Sequence, residues 1–224
     1  MTPTELCQLA STWGGVMPPS GLACEEKRDG LRALYFRGHD GLPRLWSRNG
    51  YRIEGTEHIL HRLAQFEQAA GMPLFLDGEF QVGGNLADTK AWFERGWRQG
   101  GTAGVFYAFD ICPYAEWLRG GWAAPWVERK RWLTELAKQV NDDPALAWDW
   151  RPGSFGADEG RPTVGILLDT WAFDAADVLD EARRVWAVGG EGCMLKDPEA
   201  PYLRGRNRAW LKVKSVEQFR RAAA

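Results

Sequence analysis

The sequence predicts an α+β domain in which two sheets, flanked by helices, enclose a groove. Three observations carry this reading. Apolar strand-like runs alternate with segments whose apolar residues recur at helical spacing. No internal repeat, low-complexity stretch or linker divides the 224 residues, so residues 1–224 read as a single domain. A hydrophobic content of 45% and a charged content of 26% are ordinary for a soluble globular chain. A chain of this length buries roughly 70% of its unfolded surface without a disulfide or metal staple.

The elements follow in order. Ala33 to Phe36 and Arg44 to Ser47 read as strands around a His39-Asp40-Gly41 turn. Residues 55 to 70 read as a helix with Ile59, Leu63, Phe66 and Ala70 on one face. Pro73 to Val82 is a strand with an Asp-Gly bend, 86 to 98 a helix, and Ala103 to Cys112 an apolar, aromatic strand. Pro125, of a type favoured in a first helical turn, opens a helix to about Val140. Residues 141 to 160 are rich in Asp, Pro and Gly and read as a surface loop. Val164 to Trp171 reads as one buried strand and 174 to 188 as a helix. Glu191 to Lys196 and Ala209 to Ser215 read as the last two strands.

Composition excludes several classes. The four cysteines (Cys7, Cys24, Cys112, Cys193) are scattered, form no Cys-x-x-Cys pair and read as free thiols of a reducing compartment. His58 and His61 have helical spacing but no partner ligand, so they read as a solvated helix face. There is no secretory signal and no apolar run of membrane-spanning length, so a cytoplasmic protein is expected. Neither a Gly-Lys-Ser/Thr phosphate loop nor Gly-x-Gly-x-x-Gly is present. The net charge of -2 hides an asymmetry: residues 201 to 224 hold seven Lys or Arg and one acid, a balance of +6, which leaves -8 on the remainder. That basic end suits a polyanion, although Arg220 and Arg221 also read as a solvated tail.

Five segments carry chemistry: Lys27-Arg28-Asp29-Gly30-Leu31-Arg32; Ser47-Arg48-Asn49-Gly50; Leu76-Asp77-Gly78-Glu79-Phe80; Tyr107-Ala108-Phe109-Asp110; and Glu191-Gly192-Cys193-Met194-Leu195-Lys196 with Trp210-Leu211-Lys212-Val213-Lys214. A lysine on a stiff strand-turn-strand is a candidate covalent nucleophile. To attack phosphorus a lysine must be neutral, and an unperturbed pKa near 10.4 leaves about one molecule in 10³ so at pH 7. Burial and nearby cations shift that balance; Arg32, Lys212 and Lys214 are the cations on offer. Two lysines two residues apart share one strand face and repel unless solvated or facing an anion. A phosphate is the obvious anion.

In order, chemistry and approximate spacing, this series resembles the nucleotidyltransferase motifs of ATP-dependent DNA ligases, from about Glu25 to Lys214. The resemblance implies two antiparallel sheets with a nucleotide groove between them, an ATP-grasp-like adenylation domain. It implies that Lys27 accepts AMP from ATP through a phosphoramidate bond and that Asp29 helps at the nick. Glu25 and Glu26 would contact the adenine edge, and Arg48, 21 residues after Lys27, would hold ribose or the nick phosphate. Arg32 and Lys196 would belong to the nucleotide site, and Phe109 would stack on adenine, with a buried core aromatic as the rival reading. Glu79 and Glu191 would contact ribose or hold Mg²⁺ (or Mn²⁺), which prefers one or two carboxylates plus phosphate oxygens. Lys212 and Lys214 would stabilise charge on the α-phosphate.

The implied partners are ATP and nicked double-stranded DNA, with the chain acting as a monomer. One departure stands out: ligases of this kind carry an OB-type domain after the last motif, and only ten residues follow Lys214. Either the chain is a trimmed piece of a longer ligase or it is a stand-alone core, for which slow self-adenylation and weak, salt-sensitive DNA binding are expected, with a partner as a further source of that domain. RNA ligases and capping guanylyltransferases share the lysine and remain neighbouring readings; an NAD-dependent ligase fits less well. A degenerate, non-catalytic nucleotide or nucleic-acid-binding module of a repair assembly is the alternative of a different class.

Overall fold

The structure, a computed structural model, describes residues 6–140, 163–217 and 219. Twelve strands, numbered here in chain order, form two five-stranded sheets and a two-stranded ribbon among the described residues. The first sheet holds, in spatial order, β1 (Gln8–Thr12), β12 (Gly205–Val213), β10 (Cys193–Lys196), β2 (Leu22–Glu26) and β9 (Asp169–Ala172). The second holds β4 (Pro43–Ser47), β3 (Leu31–Arg37), β5 (Leu74–Gln81), β6 (Val105–Pro113) and β8 (Val164–Ile166). The ribbon pairs β7 (Gly121–Trp122) with β11 (Tyr202–Leu203).

The layers follow from period-2 alternation on the strands and 3.6-residue periodicity on the helices. Helices α1 (Glu57–Ala70) and α4 (Trp126–Val140) cover the outer face of the second sheet. Ile59, Leu63 and Phe66 of α1 pack there with Leu133, Leu136 and Ala137 of α4 against Leu74, Leu76 and Phe80. Helix α5 (Ala175–Ala187) covers the first sheet, burying Val178, Ala182 and Val185 against Leu22, Cys24, Cys193, Leu195 and Val213. Its start is fixed by a capping box in which Asp174 and Asp177 satisfy each other's backbone N–H groups. Between the sheets lies a third cluster, with Leu34, Phe75, Tyr107, Phe109, Tyr202 and Trp210. Strand β6 supplies residues to both faces of its sheet, which is why it reads as a continuous apolar run.

The α+β class, the two sheets and the outer helices are as expected, and several details differ. The sheets are not wholly antiparallel: β1 runs parallel to β12, and β8 parallel to β6, one edge pair in each. The run Val164 to Trp171 is two strands, not one. Leu167 continues the ladder by donating its N–H to the Ala108 carbonyl at 3.1 Å; the chain then leaves the second sheet and joins the first as β9. Apolar character alone could not reveal that change of sheet. The helix expected at 86–98 is α2 (Leu86–Glu94), followed by a 3-10 turn at Gly96–Gln99. A short helix, α3 (Tyr114–Leu118), went unread, as did β1, β7 and β11. The expected loop at 141–160 and the expected tail residues Arg220 and Arg221 lie outside the described residues.

All four cysteines are free and buried, and burial pushes the Cys7 thiol up to about 11 and Cys24 to about 12. His58 points Nε2 at the Gly104 carbonyl (3.0 Å) and no metal-binding cluster of three or more His, Cys, Asp or Glu occurs among the described residues. No described helix is long and apolar enough to cross a membrane.

Candidate active site

A cleft of about 460 Å³ opens between the two sheets. Residues 27–30 carry the chain from β2 in the first sheet to β3 in the second, so Lys27 sits where the sheets diverge. Alternation decides what faces inward. On β2, Leu22 and Cys24 pack under α5, which turns Glu25 into the cleft with Lys27 after it. On β10, Cys193 and Leu195 face α5 while Met194 and Lys196 face the cleft; on β12, Trp210 and Lys212 do so, with Lys214 beyond the strand. The second sheet contributes Arg32, Glu79 and Phe109, and the β4 hairpin brings Arg48 to the mouth.

Two glycines permit this geometry by their lack of a side chain. A Cβ on Gly30 would lie 2.4 Å from the Phe80 carbonyl oxygen, so the lysine-bearing turn can approach β5 only as glycine. Its φ is not positive; space, rather than turn conformation, demands it. Gly192 (φ +138°) has both constraints: a Cβ there would sit 2.1 Å from the Val213 carbonyl oxygen. Its own carbonyl accepts from the Lys27 N–H at 2.8 Å, which ties the lysine to Glu191 next door.

One end of the cleft is a cation cluster around Glu191. Lys27 and Lys214 both donate to the Glu191 carboxylate. Burial pushes that carboxyl up, but the hydrogen bonds from Lys214 and Lys27 outweigh it and hold it below the usual carboxylate range. Lys212 is shifted down, first by burial and then by the neighbouring charges of Lys214, Arg206 and Lys27. Glu79 accepts the Gly30 N–H at 3.1 Å; burial pushes its carboxyl up to about 7, against the pull of Lys27 and Arg32.

The other end is closed by buried ion pairs. Lys196 reaches Glu25 Oε2 at 2.6 Å and donates to the Phe109 carbonyl at 3.0 Å. Phe109 is 8% exposed and meets Trp210 edge-on, with the Arg32 guanidinium and the Lys196 ammonium each 4.7 Å from its ring centroid. Arg32 forms a two-pronged pair with buried Asp77 at 2.5 and 2.6 Å, and Tyr202 donates to the same carboxylate. Its charge is thus engaged by Asp77, in place of the role beside Lys27 that the sequence suggested. Glu26 is pushed up by burial and faces Arg28 at 3.9 Å.

The structure therefore gathers Lys27, Glu25, Glu26, Arg32, Arg48, Glu79, Phe109, Lys196, Lys212 and Lys214 around one cleft. Glu191 stands at its rim, joined through its two lysines. Asp29 is not brought in: it is exposed, and its carboxylate accepts from the Leu86 N–H at 3.4 Å, at the start of α2. Sequence reasoning missed Lys130 of α4, whose ammonium donates to Glu25 and to the Leu167 carbonyl. A signal was present. Trp126, Arg129, Lys130, Leu133, Leu136 and Ala137 form the buried stripe of α4, so two cations occupy positions of an apolar face. Arg129 pairs with Asp110 there, both side chains fully buried.

For a divalent cation, Glu79 and Glu191 offer two carboxylates near one another, and no cluster of three or more His, Cys, Asp or Glu forms there among the described residues. That set is too small to hold a metal alone and suits one shared with phosphate oxygens.

Solved structures share this architecture. Pmar-Lig_Pre matches with a TM-score of 0.72 and 22% identity over 95% of this chain and 47% of its own. The ATP-dependent DNA ligase of bacteriophage T7, solved with ATP, matches with a TM-score of 0.67 and 17% identity over 94% of this chain and 68% of its own. Mycobacterial DNA ligase D, in complex with ATP and MES, gives 0.60 and 22% over 96% of this chain and 61% of its own. At these identities the likeness is one of fold. A probable DNA ligase of Mycobacterium marinum is 57% identical over 44 residues, 19% of this chain and 9% of that protein. The chain thus spans about half of the first of these structures and under a tenth of the curated relative. A family model described as ATP dependent DNA ligase domain matches residues 8–214, nearly the whole length, and the chain belongs to that family.

Proposed function

We propose that the chain is the adenylation core of an ATP-dependent DNA ligase, and that Lys27 is its nucleophile. One observation carries this: the Lys27 amine lies in the inter-sheet cleft, in contact with Glu191 and flanked by Glu79, Lys212 and Lys214. Nζ attacks the α-phosphorus of ATP, the bond to the bridging oxygen breaks, pyrophosphate leaves and Nζ gives up a proton. Lys212 and Lys214 stabilise the charge that gathers on the α-phosphate oxygens. The AMP then passes to a 5′-phosphate, and a 3′-hydroxyl displaces it to seal a nick. Each step is in-line transfer governed by positioning and charge. Glu79 and Glu191 are the residues that would hold Mg²⁺ together with phosphate oxygens, and the ion would supply further charge neutralisation. Phe109 and the Glu25 region form the base end, and Arg48 at the mouth meets ribose or the nick.

Incubation with α-labelled ATP and Mg²⁺ is expected to label the wild-type chain, on the peptide containing Lys27, and to leave Lys27→Ala unlabelled. Equal labelling of that variant overturns the assignment. Labelling by GTP in preference to ATP points to a capping-type enzyme instead, and nucleotide binding without a covalent product points to a non-catalytic module.

A further inference from the structure

Behind the base end of the cleft, against Glu25, lies a cation that the adenylation chemistry leaves without a role. Lys130 projects from α4 through the edge of the second sheet into the space beside β2 and β9, and is only 6% exposed. Its ammonium donates to Glu25 Oε1 and to the Leu167 carbonyl, and lies 3.7 Å from Asp169 Oδ1. Glu25, itself 1% exposed, has its other oxygen on Lys196. Two further facts make the position of Lys130 specific. Glu25 and Asp169 are directly opposed across β2 and β9, an arrangement of like charges that repels unless a cation lies between them. The Leu167 carbonyl belongs to the residue where the chain leaves β8 for β9, and a buried carbonyl there needs a donor. Lys130 serves both needs at once, and Glu25, Lys196 and Leu167 all line the cleft.

We propose that Lys130 is a positioning residue for base selection: it fixes the Glu25 carboxylate as a hydrogen-bond acceptor at the base end, so that the cleft favours a purine donating from an amino group at position 6 over one presenting a carbonyl there. Adenine and hypoxanthine differ in this way, as amine donor against carbonyl acceptor. A carboxylate that meets a carbonyl oxygen gains no hydrogen bond and is left facing another acceptor, and buried polar groups left unpaired are what give such sites their discrimination. Without Lys130 the opposed carboxylates of Glu25 and Asp169 lose the ammonium that lies between them. Glu25 then loses its fixed orientation. The inference rests on the cleft being an ATP site, and it assigns the selectivity of that site to a helix outside the sequence motifs.

The test compares second-order rates of lysyl-nucleotide formation on the full chain from ATP and from ITP, followed by intact-mass spectrometry. Wild type is expected to favour ATP. Lys130→Met is expected to lower the ATP:ITP ratio by about tenfold or more, the scale of a hydrogen bond to a charged group. Lys130→Arg, which keeps the charge, is expected to restore the ratio to within about threefold of wild type. If Lys130→Met does not fold, Lys130→Gln reads the same quantity, because it keeps a donor for the Leu167 carbonyl while losing the charge. A variant that is slower with both donors at an unchanged ratio overturns the proposal, since loss of packing alone has that signature; so does a wild type that uses ATP and ITP equally. No lysyl-nucleotide from wild type with either donor overturns the adenylation reading beneath it.

Discussion

The two ends of the cleft use the same residue types and hold them in opposite ways. At the base end, Lys130, Lys196 and Glu25 are almost fully buried, and the Arg129–Asp110 pair behind them is fully so. At the phosphate end, the side chains of Lys27, Glu191 and Lys214 are 22%, 25% and 43% exposed. Exposed pairs are worth about 0–1 kcal/mol and exchange partners readily. A buried pair contributes little net stability, but breaking it by removing one partner is costly. On the proposed reading the base end is therefore preformed and the phosphate end provisional: Lys27 and Lys214 share the Glu191 carboxylate, an anion for which incoming phosphate oxygens would have to compete.

The largest expected effect tests the preformed end. Lys196→Met leaves the Glu25 carboxylate buried with one ammonium in place of two, and is expected to cost about 3–5 kcal/mol of unfolding free energy. Urea denaturation of the variant and of wild type measures it. A loss no greater than that of an exposed pair would break the contrast between the two ends.

That contrast also explains what the sequence showed and what it hid. Alternation placed Lys212 and Lys214 on a shared face, because a two-residue period is a local property of strands. The gathering of Lys27, Glu79, Lys212 and Lys214, with Glu191 at the rim, was implied by the family resemblance that their motifs carry. Partnership was not legible. Nothing local says that Arg32 meets Asp77, forty-five residues on, or that Glu191 joins Lys27 to Lys214. Lys130 was hidden for a different reason. A Glu-Arg-Lys-Arg run on a helix reads as a solvated face, and only its phase relative to Trp126 and Leu133 shows that Arg129 and Lys130 point inward. The split of Val164 to Trp171 between two sheets was likewise decided by long-range pairing, with Ala108 on one side and Cys24 on the other.

Glu79 lies between the two ends, and its titration sharpens the comparison. Burial places its folded-state carboxyl near pH 7, above the ordinary 4.5. Between those values the folded protein keeps a proton that the unfolded chain has released. Its contribution to stability is therefore present below about pH 4.5 and lost as the pH rises through about 7. Because part of the side chain reaches solvent, the loss is expected to be about 1–2 kcal/mol. Glu79→Gln is expected to flatten this decline in thermal or urea unfolding followed across that window. The same decline in the variant would assign it to other groups. Binding of nucleotide with Mg²⁺ is expected to release a proton near neutral pH, which calorimetry in buffers of different ionisation heat detects.

The smallest expected effect tests the provisional end. Lys214→Gln removes one exposed partner of Glu191 and is expected to change stability by less than about 1 kcal/mol. Glu191→Gln differs in kind, because it removes the carboxylate that Lys27 and Lys214 share, with Lys212 beside them. Their repulsion is expected to cost about 1 kcal/mol at low salt and to fade toward about 0.5 M salt, where screening acts within a few ångströms. If Glu191 does stand in for phosphate, then inorganic phosphate supplies what the variant lacks. Its melting temperature is expected to rise with phosphate more than that of wild type at equal ionic strength, since wild type must first give up the Glu191 contacts. An equal rise in both would mean that Glu191 and phosphate do not compete for the same lysines, and the phosphate end would then be as fixed as the base end.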